Sequence, residues 1–150
     1  MSGSIPSGWA EATLQDVALW SSGGTPSRAD TSYFSGHIPW FKSGELGPET
    51  IVRPDECITD EALAASSAKV FPAGSVAVAM YGAMIGKTSI LGVDAATNQA
   101  CAVAIPKATS SKFLYYFLIY QSPMLSESGK GGAQPNISQG LIKGWPISIP

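Results

Sequence analysis

Few residues of this chain have the types and the spacing that catalysis or metal binding requires. His37 is the only histidine among the 150 residues, so a Ser-His-Asp triad or a histidine-based metal site has very little to work with. The two cysteines, Cys57 and Cys101, match no metal spacing and predict buried, free thiols. Residues 82–88 resemble a phosphate-binding P-loop, but three residues separate the glycines where the motif has four, and a strand pattern follows. We therefore expect a protein that is not an enzyme and that uses neither a cofactor nor a metal.

A second group of polar side chains lies in or beside glycine-rich loops, where they are placed to contact a partner. Lysines can neutralise phosphates, and side-chain amides can hydrogen-bond the edge of an adenine bidentately. Asn98 and Gln99 precede an apolar strand pattern, and there an amide more often ties a loop to backbone groups. The candidates for partner contact are Lys42 and Ser43 after the segment IPWF, Tyr81 and Lys87 around the loop 82–86, and Lys130, Gln134 and Asn136 in the loop GKGGAQPN.

Charge is sparse and unevenly distributed. The formal net charge of −2 argues against generic nucleic-acid binding, because phosphate contacts need Lys and Arg. Residues 1–61 carry nine acids and three bases, a net of −6, whereas residues 62–150 carry two acids and six bases, a net of +4. This asymmetry predicts either a basic face on an acidic protein or a random split of surface charge. Asp55 and Glu56 are neighbours whose side chains should point opposite ways, which favours a solvated edge.

Hydrophobic periodicity predicts a mixed α/β fold: a twisted, mostly antiparallel or mixed sheet with a few helices and long loops. Strand patterns lie at 13–20 (where a short helix is the alternative), 37–41, 51–58, 75–81, 87–93, 99–105 and 145–149. Pro39 predicts an edge or a bulge in the second of these. Thr59 should cap a short helix, and Ser111 should cap a longer apolar helix that Pro123 kinks or ends. Residues 137–142 should form a helical turn. The length, 1–150, predicts a single domain.

Several separated segments, taken in order, are similar to one protein family. Each is weak alone, but their order is specific and covers nearly the whole chain. They are IPSGW at 5–9, SGGTPS at 22–27, YF at 33–34 before GHIPW at 36–40, AKVFPAG at 68–74, the pair 82–87 and ATNQA at 96–100, FLYY at 113–116, and GAQ at 132–134, which leads through Ile137 into WPISIP at 145–150. This arrangement resembles a target-recognition domain of the specificity (S) subunits of type I restriction–modification enzymes.

The resemblance implies a domain whose loops dock into the major groove of double-stranded DNA and read one half of a split target. Methyltransferase (M) subunits would then methylate adenine, and restriction (R) subunits would cut. Phosphates would be held by Lys42, Lys87 and Lys130, while Ser43, Tyr81, Gln134 and Asn136 would lie nearer the bases.

Two features depart from the family pattern. Its subunits normally carry two such domains separated by long helices, whereas this sequence predicts one domain, without the following long helix or the second domain. We therefore expect a domain excerpt, a half-subunit or a free-standing relative, able to self-associate or to pair with a second recognition domain. Relatives often carry Arg before the segment IGK, where this chain has Tyr81-Gly82-Ala83-Met84.

The sequence shows no signal peptide and no membrane-length apolar run, which favours a cytoplasmic protein without a membrane partner.

Two other classes of function remain open from the residues alone. A protein-interaction module would use the apolar helix at 113–120 as an interface, and the acidic first half suits a protein partner. A small carbohydrate- or ligand-binding domain would line a groove with its tryptophans. A positive, loop-rich face would favour DNA binding over the protein-interaction module. A cleft floored by tryptophan would favour the carbohydrate- or ligand-binding domain.

Overall fold

The computed structural model describes residues 5–129 and 136–150. Within these ranges short strands and helices are joined by long loops, and the predicted mixed fold of strands and helices is confirmed. In chain order the strands are β1 (Ala10–Thr13), β2 (Ala18–Ser22), β3 (Ile38–Phe41), β4 (Thr50–Ile51), β5 (Glu56–Ile58), β6 (Val76–Ala79), β7 (Thr88–Leu91), β8 (Ala96–Thr97), β9 (Cys101–Pro106) and β10 (Pro146–Ile149). The helices are α1 (Leu14–Val17), α2 (Asp60–Ala64), α3 (Ser111–Glu127) and α4 (Gln139–Lys143), with 3-10 turns at Thr31–Phe34, Ser43–Glu45 and Gly82–Met84.

The largest sheet has five strands in the order β2-β9-β6-β7-β4. All neighbours are antiparallel except β4, which runs parallel to β7. The central strand β6 is buried on both faces, with Val76 and Val78 on one side and Ala77 and Ala79 on the other. Because side chains alternate along a strand, the branched valines pack against helices while the small alanines admit a second layer around Phe41. The Val/Ala alternation of the sequence is therefore the signature of a two-sided core.

Helix α3 covers the valine face of the large sheet. Its N-cap is Ser110, whose hydroxyl accepts from the backbone N–H of Phe113 at 3.0 Å, so the prediction that Ser111 is the cap is wrong by one residue. The Ser111 hydroxyl instead donates to the carbonyl of Gly74 at 2.6 Å. Pro123 does not end the helix, which continues to Glu127 because Leu125 is buried against the sheet beyond it. Among the helices of the described ranges, none has the length and apolar content needed to cross a bilayer.

A three-stranded sheet, ordered β5-β3-β8, forms the second layer. Its core contains Trp40 and Ile58, which are almost fully buried. Strand β3 is central, so the prediction that Pro39 marks an edge or a bulge is wrong. Strand β8 pairs only with Trp40 and Phe41, and the ladder therefore needs no donor from Pro39 on that side.

Two predicted strands are divided in the structure. The segment 51–58 splits into β4 in the large sheet and β5 in the small one, with Pro54 in the crossing between them, and the prediction of one strand there is wrong. The segment 13–20, predicted as a strand or a short helix, contains both, because the one-turn helix α1 separates β1 from β2. Asp16 accepts from the N–H and the hydroxyl of Thr13 at 2.9 and 3.0 Å and so closes that turn. The other predicted strands, the Thr59-capped helix and the turn near 137–142 are confirmed within a few residues.

A glycine pair joins the two sheets. The N–H of Gly23 donates to the carbonyl of Cys101 at 3.3 Å and that of Gly24 to the carbonyl of Thr97 at 2.9 Å. The indole N–H of Trp40 donates to the carbonyl of Gly24 at 3.0 Å. A Cβ atom at Gly24 would overlap Ser67 and the backbone nitrogen of Ala68, so only glycine fits this approach. The glycine loop therefore fixes the small sheet, with Trp40, against the large sheet.

Candidate nucleic-acid interface

Several loops meet at one end of the molecule, which we call the loop end. The carboxyl end of β6 and the amino ends of β7 and β9 lie here because β6 is antiparallel to both β7 and β9. Backbone hydrogen bonds join the loops: Asn98 N–H donates to the Phe41 carbonyl and Met80 N–H to the Ala100 carbonyl, each at 2.9 Å. The loop end comprises the loops 23–28, 42–45, 81–87 and 98–100.

The Lys87 corner of the loop end (Tyr81, Lys87 and Asn136) presents exposed polar groups. The loop 82–86 is held shut by hydrogen bonds from Gly86 N–H to the Ala79 carbonyl at 3.0 Å and from Ala79 N–H to the Lys87 carbonyl at 2.9 Å. Gly86 has φ +85° and abuts a serine of α3, so a larger residue would disturb the turn. Within the described ranges, no carboxylate forms an ion pair with Lys87, whose side chain is exposed. This corner therefore has an uncompensated positive charge on a restrained loop.

Asn136 lies beside Tyr81. The two residues form an isolated antiparallel bridge, and the next backbone N–H, of Ile137, donates to the Met80 carbonyl at 2.8 Å. Tyr81 is 48% exposed and Asn136 is exposed as well. The structure thus brings together two of the residues predicted to contact a partner, although 55 positions separate them in the sequence. Lys130 and Gln134, predicted with them, lie outside the described residues.

The Lys42 corner (Arg28, Lys42, Asp55 and Glu56) is different, because its cations are paired. The Arg28 guanidinium donates to both carboxylate oxygens of Glu56, at 2.7 and 3.0 Å. Lys42 Nζ lies 3.1 Å from Glu56 Oε1 and 3.8 Å from Asp55 Oδ2. The hydrogen bonds from Arg28, joined by that from Lys42, lower the pKa of Glu56 from 4.5 to about 2. The solvated edge expected for Asp55 and Glu56 is therefore wrong for Glu56, which is the centre of an ion-pair network.

Sequence reasoning missed Arg28. Its guanidinium lies over the ring of Phe34, 4.1 Å from the centroid, and 5.2 Å from the centroid of Trp40. Its carboxylate partner, Glu56, is 28 residues away in the sequence. No local pattern links such distant positions, and only the antiparallel pairing of β3 with β5 brings Glu56 opposite Trp40.

A second carboxylate, that of Glu45, restrains the backbone of this corner. It accepts from the N–H of Lys42 at 2.8 Å and from the N–H of Asp55 at 3.0 Å. The 3-10 turn that begins at Ser43 is therefore tied to the segment before β5. Ser43 is half-buried in this turn, so its hydroxyl is less available than the side chains of the Lys87 corner.

Asn98 and Gln99 hold the loop end together, as the sequence favoured. Asn98 Oδ1 accepts from the N–H of Ala100 at 3.3 Å, and the side chain of Gln99 hydrogen-bonds the hydroxyl of Thr25. Beneath them Cys101 is buried, and burial raises the pKa of its thiol to about 12. Cys57 is only partly buried, contrary to the expectation of two buried thiols, and both cysteines are free.

The chemistry available at the loop end is recognition by charge and hydrogen bonding. In the part of the chain that the structure describes, no cluster of three His, Cys, Asp or Glu side chains is placed to hold a metal. His37 is exposed just before β3. The P-loop-like segment forms a 3-10 turn followed by strand β7, so it does not open a helix toward a phosphate.

An apolar groove of about 680 Å³ lies away from the loop end, between α3 and the β1–β10 ribbon. Of the four tryptophans, Trp9 lines it. Trp40 is buried, and the indole N–H groups of Trp20 and Trp145 donate to Leu14 and Gln121. The tryptophans therefore do not form the cleft floor that a carbohydrate site would need.

This chain is similar to known proteins of one family. A family model described as the type I restriction modification DNA specificity domain matches residues 6–150. A type I restriction enzyme specificity subunit of Escherichia coli is 27% identical over 145 residues, covering 92% of this chain and 36% of that subunit. One of Methanocaldococcus jannaschii is 29% identical over 156 aligned positions, covering 99% of this chain and 35% of that subunit. The chain thus spans about a third of the length of these curated relatives.

Solved structures show the same fold. The HsdS subunit of Thermoanaerobacter tengcongensis superposes with a TM-score of 0.76 at 21% identity, covering 99% of this chain and 34% of that one. A chain from work on complex assembly and conformational transition of the type I R-M system gives a TM-score of 0.79 at 20% identity, covering 99% and 35%. Specificity domains of this kind are non-catalytic components, in agreement with the expectation that the chain is not an enzyme. The chain belongs to the family of type I restriction–modification DNA specificity domains.

Proposed function

We propose that this domain binds double-stranded DNA through its loop end and reads one half of a bipartite target for a type I restriction–modification complex. The observation that carries the proposal is the Lys87 corner, where a lysine with no ion-pair partner in the described ranges and an exposed tyrosine flank one restrained loop, and an exposed asparagine is bridged to that tyrosine. A cation positions a protein on the phosphate backbone, and neighbouring donors and acceptors read base edges in the major groove.

The residues divide into two roles in this proposal. Lys87 contacts phosphate, and Lys42 does so more weakly because Glu56 and Asp55 already offset its charge. Lys130 supplies a further phosphate contact. The residues nearer the bases are Ser43, Tyr81, Gln134 and Asn136. The restraint of the loops 42–45 and 81–87 supports binding through them, since a preorganised surface loses less entropy when it binds.

Sparse charge sets the expected strength of binding. The chain carries nine Lys and Arg against eleven Asp and Glu, and part of the positive charge is consumed by internal ion pairs. Few phosphates are neutralised, so the domain alone binds weakly, with a shallow salt slope, and ordinary salt reduces the small affinity that remains. Firm binding then depends on M subunits, which add contacts and methylate, and on R subunits for cleavage. The domain acts in the cytoplasm, paired with a second recognition domain or with another copy of itself.

The test is a selection from randomised duplexes, read by fluorescence anisotropy at low and moderate salt and by sequencing of the bound fraction. Enrichment of a motif of a few base pairs is the expected result and identifies the half-site. Binding without enrichment would reduce the function to an electrostatic contact. Absence of binding at low salt, both alone and with M subunits added, would overturn the proposal.

A protein-interaction module is the second candidate, and one observation favours it. Tyr116 and Tyr120 are exposed on α3 and line the apolar groove with Phe113 and Phe117. Aromatic side chains of this kind are enriched at protein interfaces. If Tyr120→Ser abolished assembly with M subunits while DNA binding by the isolated domain was unchanged, the groove would have a role in assembly separate from the loop end.

A further inference from the structure

Lys42 lies between two carboxylates that have unequal roles. Glu56 already has a bidentate partner in Arg28, and its side chain is 25% exposed. Asp55 is 73% exposed, and its carboxylate lies 3.8 Å from Lys42 Nζ, beyond hydrogen-bonding distance. The fold uses the backbone of Asp55, whose N–H donates to Glu45, and has no such use for its carboxylate.

The cations of the Lys42 corner are fully offset, since Glu45, which binds the backbone N–H groups of Lys42 and Asp55, adds a third carboxylate to the two that pair with them. Arg28 and Lys42 contribute two positive charges, and Asp55 and Glu56 contribute two negative ones. Arg28 and Glu56 neutralise each other in the half-buried network. The remaining pair, Lys42 and Asp55, faces solvent at the loop end. Without the Asp55 carboxylate, Lys42 would keep as its ion-pair partner in the described ranges only Glu56, which Arg28 already neutralises.

We infer that Asp55 limits sequence-independent DNA binding by offsetting the charge of Lys42 at the loop end. The inference rests on the function proposed above. Sequence-independent binding is held almost wholly by contacts between cations and phosphates, so a neutralised lysine removes one contact from it. Recognition then relies more on hydrogen bonds to base edges, which depend on the sequence of the DNA, than on charge contacts to phosphates, which do not. An exposed carboxylate beside a potential phosphate contact also repels a phosphate that approaches without the correct fit.

The substitution Asp55→Asn tests this directly, since it removes the charge and keeps the shape. Binding of the 150-residue chain to a random-sequence duplex is measured by anisotropy between about 50 and 200 mM salt. We expect the slope of log K against log salt to steepen by about 0.9 and affinity near 0.1 M salt to rise roughly fivefold to tenfold. Glu11→Gln, on strand β1 away from the loop end, is the matched control and should leave both values unchanged.

A second background separates Lys42 from a general effect of charge. In Lys42→Ala, the added substitution Asp55→Asn should produce no steepening, because the lysine that Asp55 offsets is absent. Thermal denaturation of each variant confirms that the chain is folded. A gain that persists without Lys42, or an Asp55→Asn protein that behaves like Glu11→Gln, overturns the inference. If wild type binds and Lys87→Ala weakens binding but Asp55→Asn has no effect, only this inference fails; if no variant binds DNA, the proposed function fails with it.

Discussion

The Lys42 corner and the Lys87 corner lie at the same end of the fold, and each has one lysine that the sequence marks as a candidate. In the first, the lysine is held between Asp55 and Glu56 and the corner has no net positive charge. In the second, the lysine has no carboxylate partner within the described ranges. A lysine in a loop is therefore a poor measure of binding potential by itself. Its worth depends on which acids the tertiary structure brings beside it.

The two corners also differ in what holds their backbone. The Lys87 corner is closed by main-chain hydrogen bonds of the β6–β7 hairpin. The Lys42 corner is held by carboxylates, because Glu45 binds two backbone N–H groups and Glu56 binds two cationic side chains. The first restraint is insensitive to pH, whereas the second depends in part on ionised Glu56. Three sets of measurements test this comparison.

The largest effect is expected from a substitution in the glycine pair that joins the two sheets. Gly24→Ala places a Cβ against Ser67 and the backbone of Ala68, at the contact that fixes the small sheet on the large one. The free energy of unfolding should fall by about 2–3 kcal/mol, as overpacked interiors do. Urea denaturation, monitored by tryptophan fluorescence, measures this change. The matched control variant is Gly44→Ala, where a Cβ meets nothing within 4 Å. Equal stability of the two variants would contradict the role of the glycine loop as the joint.

Glu56→Gln should have the next largest effect, and one that depends on pH. The Arg28 hydrogen bonds lower the pKa of Glu56 from 4.5 to about 2, so ionised Glu56 stabilises the fold above about pH 4.5, and this stability is lost as pH falls toward 2. At pH 7 the variant should lose about 1–2 kcal/mol of unfolding free energy, allowing for partial exposure. Acid titrations of wild type and variant should converge only as the pH falls to about 2.

Lys87→Ala is the control for that titration, because its corner has no ionised acid to protonate. Its unfolding free energy should match wild type within about 0.5 kcal/mol across the same range. If Lys87→Ala changed the acid limb as much as Glu56→Gln did, the assignment of pH-sensitive restraint to the Lys42 corner would be wrong.

The smallest effect is expected in DNA binding. Lys87→Ala should weaken binding to all sequences alike and reduce the salt slope by about 1. Lys42→Ala should reduce it by less than half as much, since its charge is already offset. Lys107→Ala, beyond the far end of β9, serves as the neutral match. Anisotropy against salt measures all three, and equal slopes for Lys42→Ala and Lys87→Ala would remove the distinction between the corners.

Much of this fold could be predicted because its signals are local. The alternation in SVAVAMY reflects burial of β6 on both faces, and Thr59 caps its helix through a hydroxyl three residues from its donor. The errors occurred where tertiary pairing prevailed. The segment 51–58 was divided between two sheets, and Pro39 lies in a central strand because its neighbour β8 is only two residues long.

The sequence by itself determined the family, through an ordered set of short motifs, and it determined which polar residues lie in loops. It also placed Asn98 and Gln99 correctly as residues that hold a loop. Only the tertiary structure decided which charges are free. Arg28, Lys42 and Glu56 lie far apart in the chain, and ion pairing depends on distances of a few ångströms that strand pairing and the glycine joint create. Composition counts charges, but the fold determines which of them remain available to bind a partner.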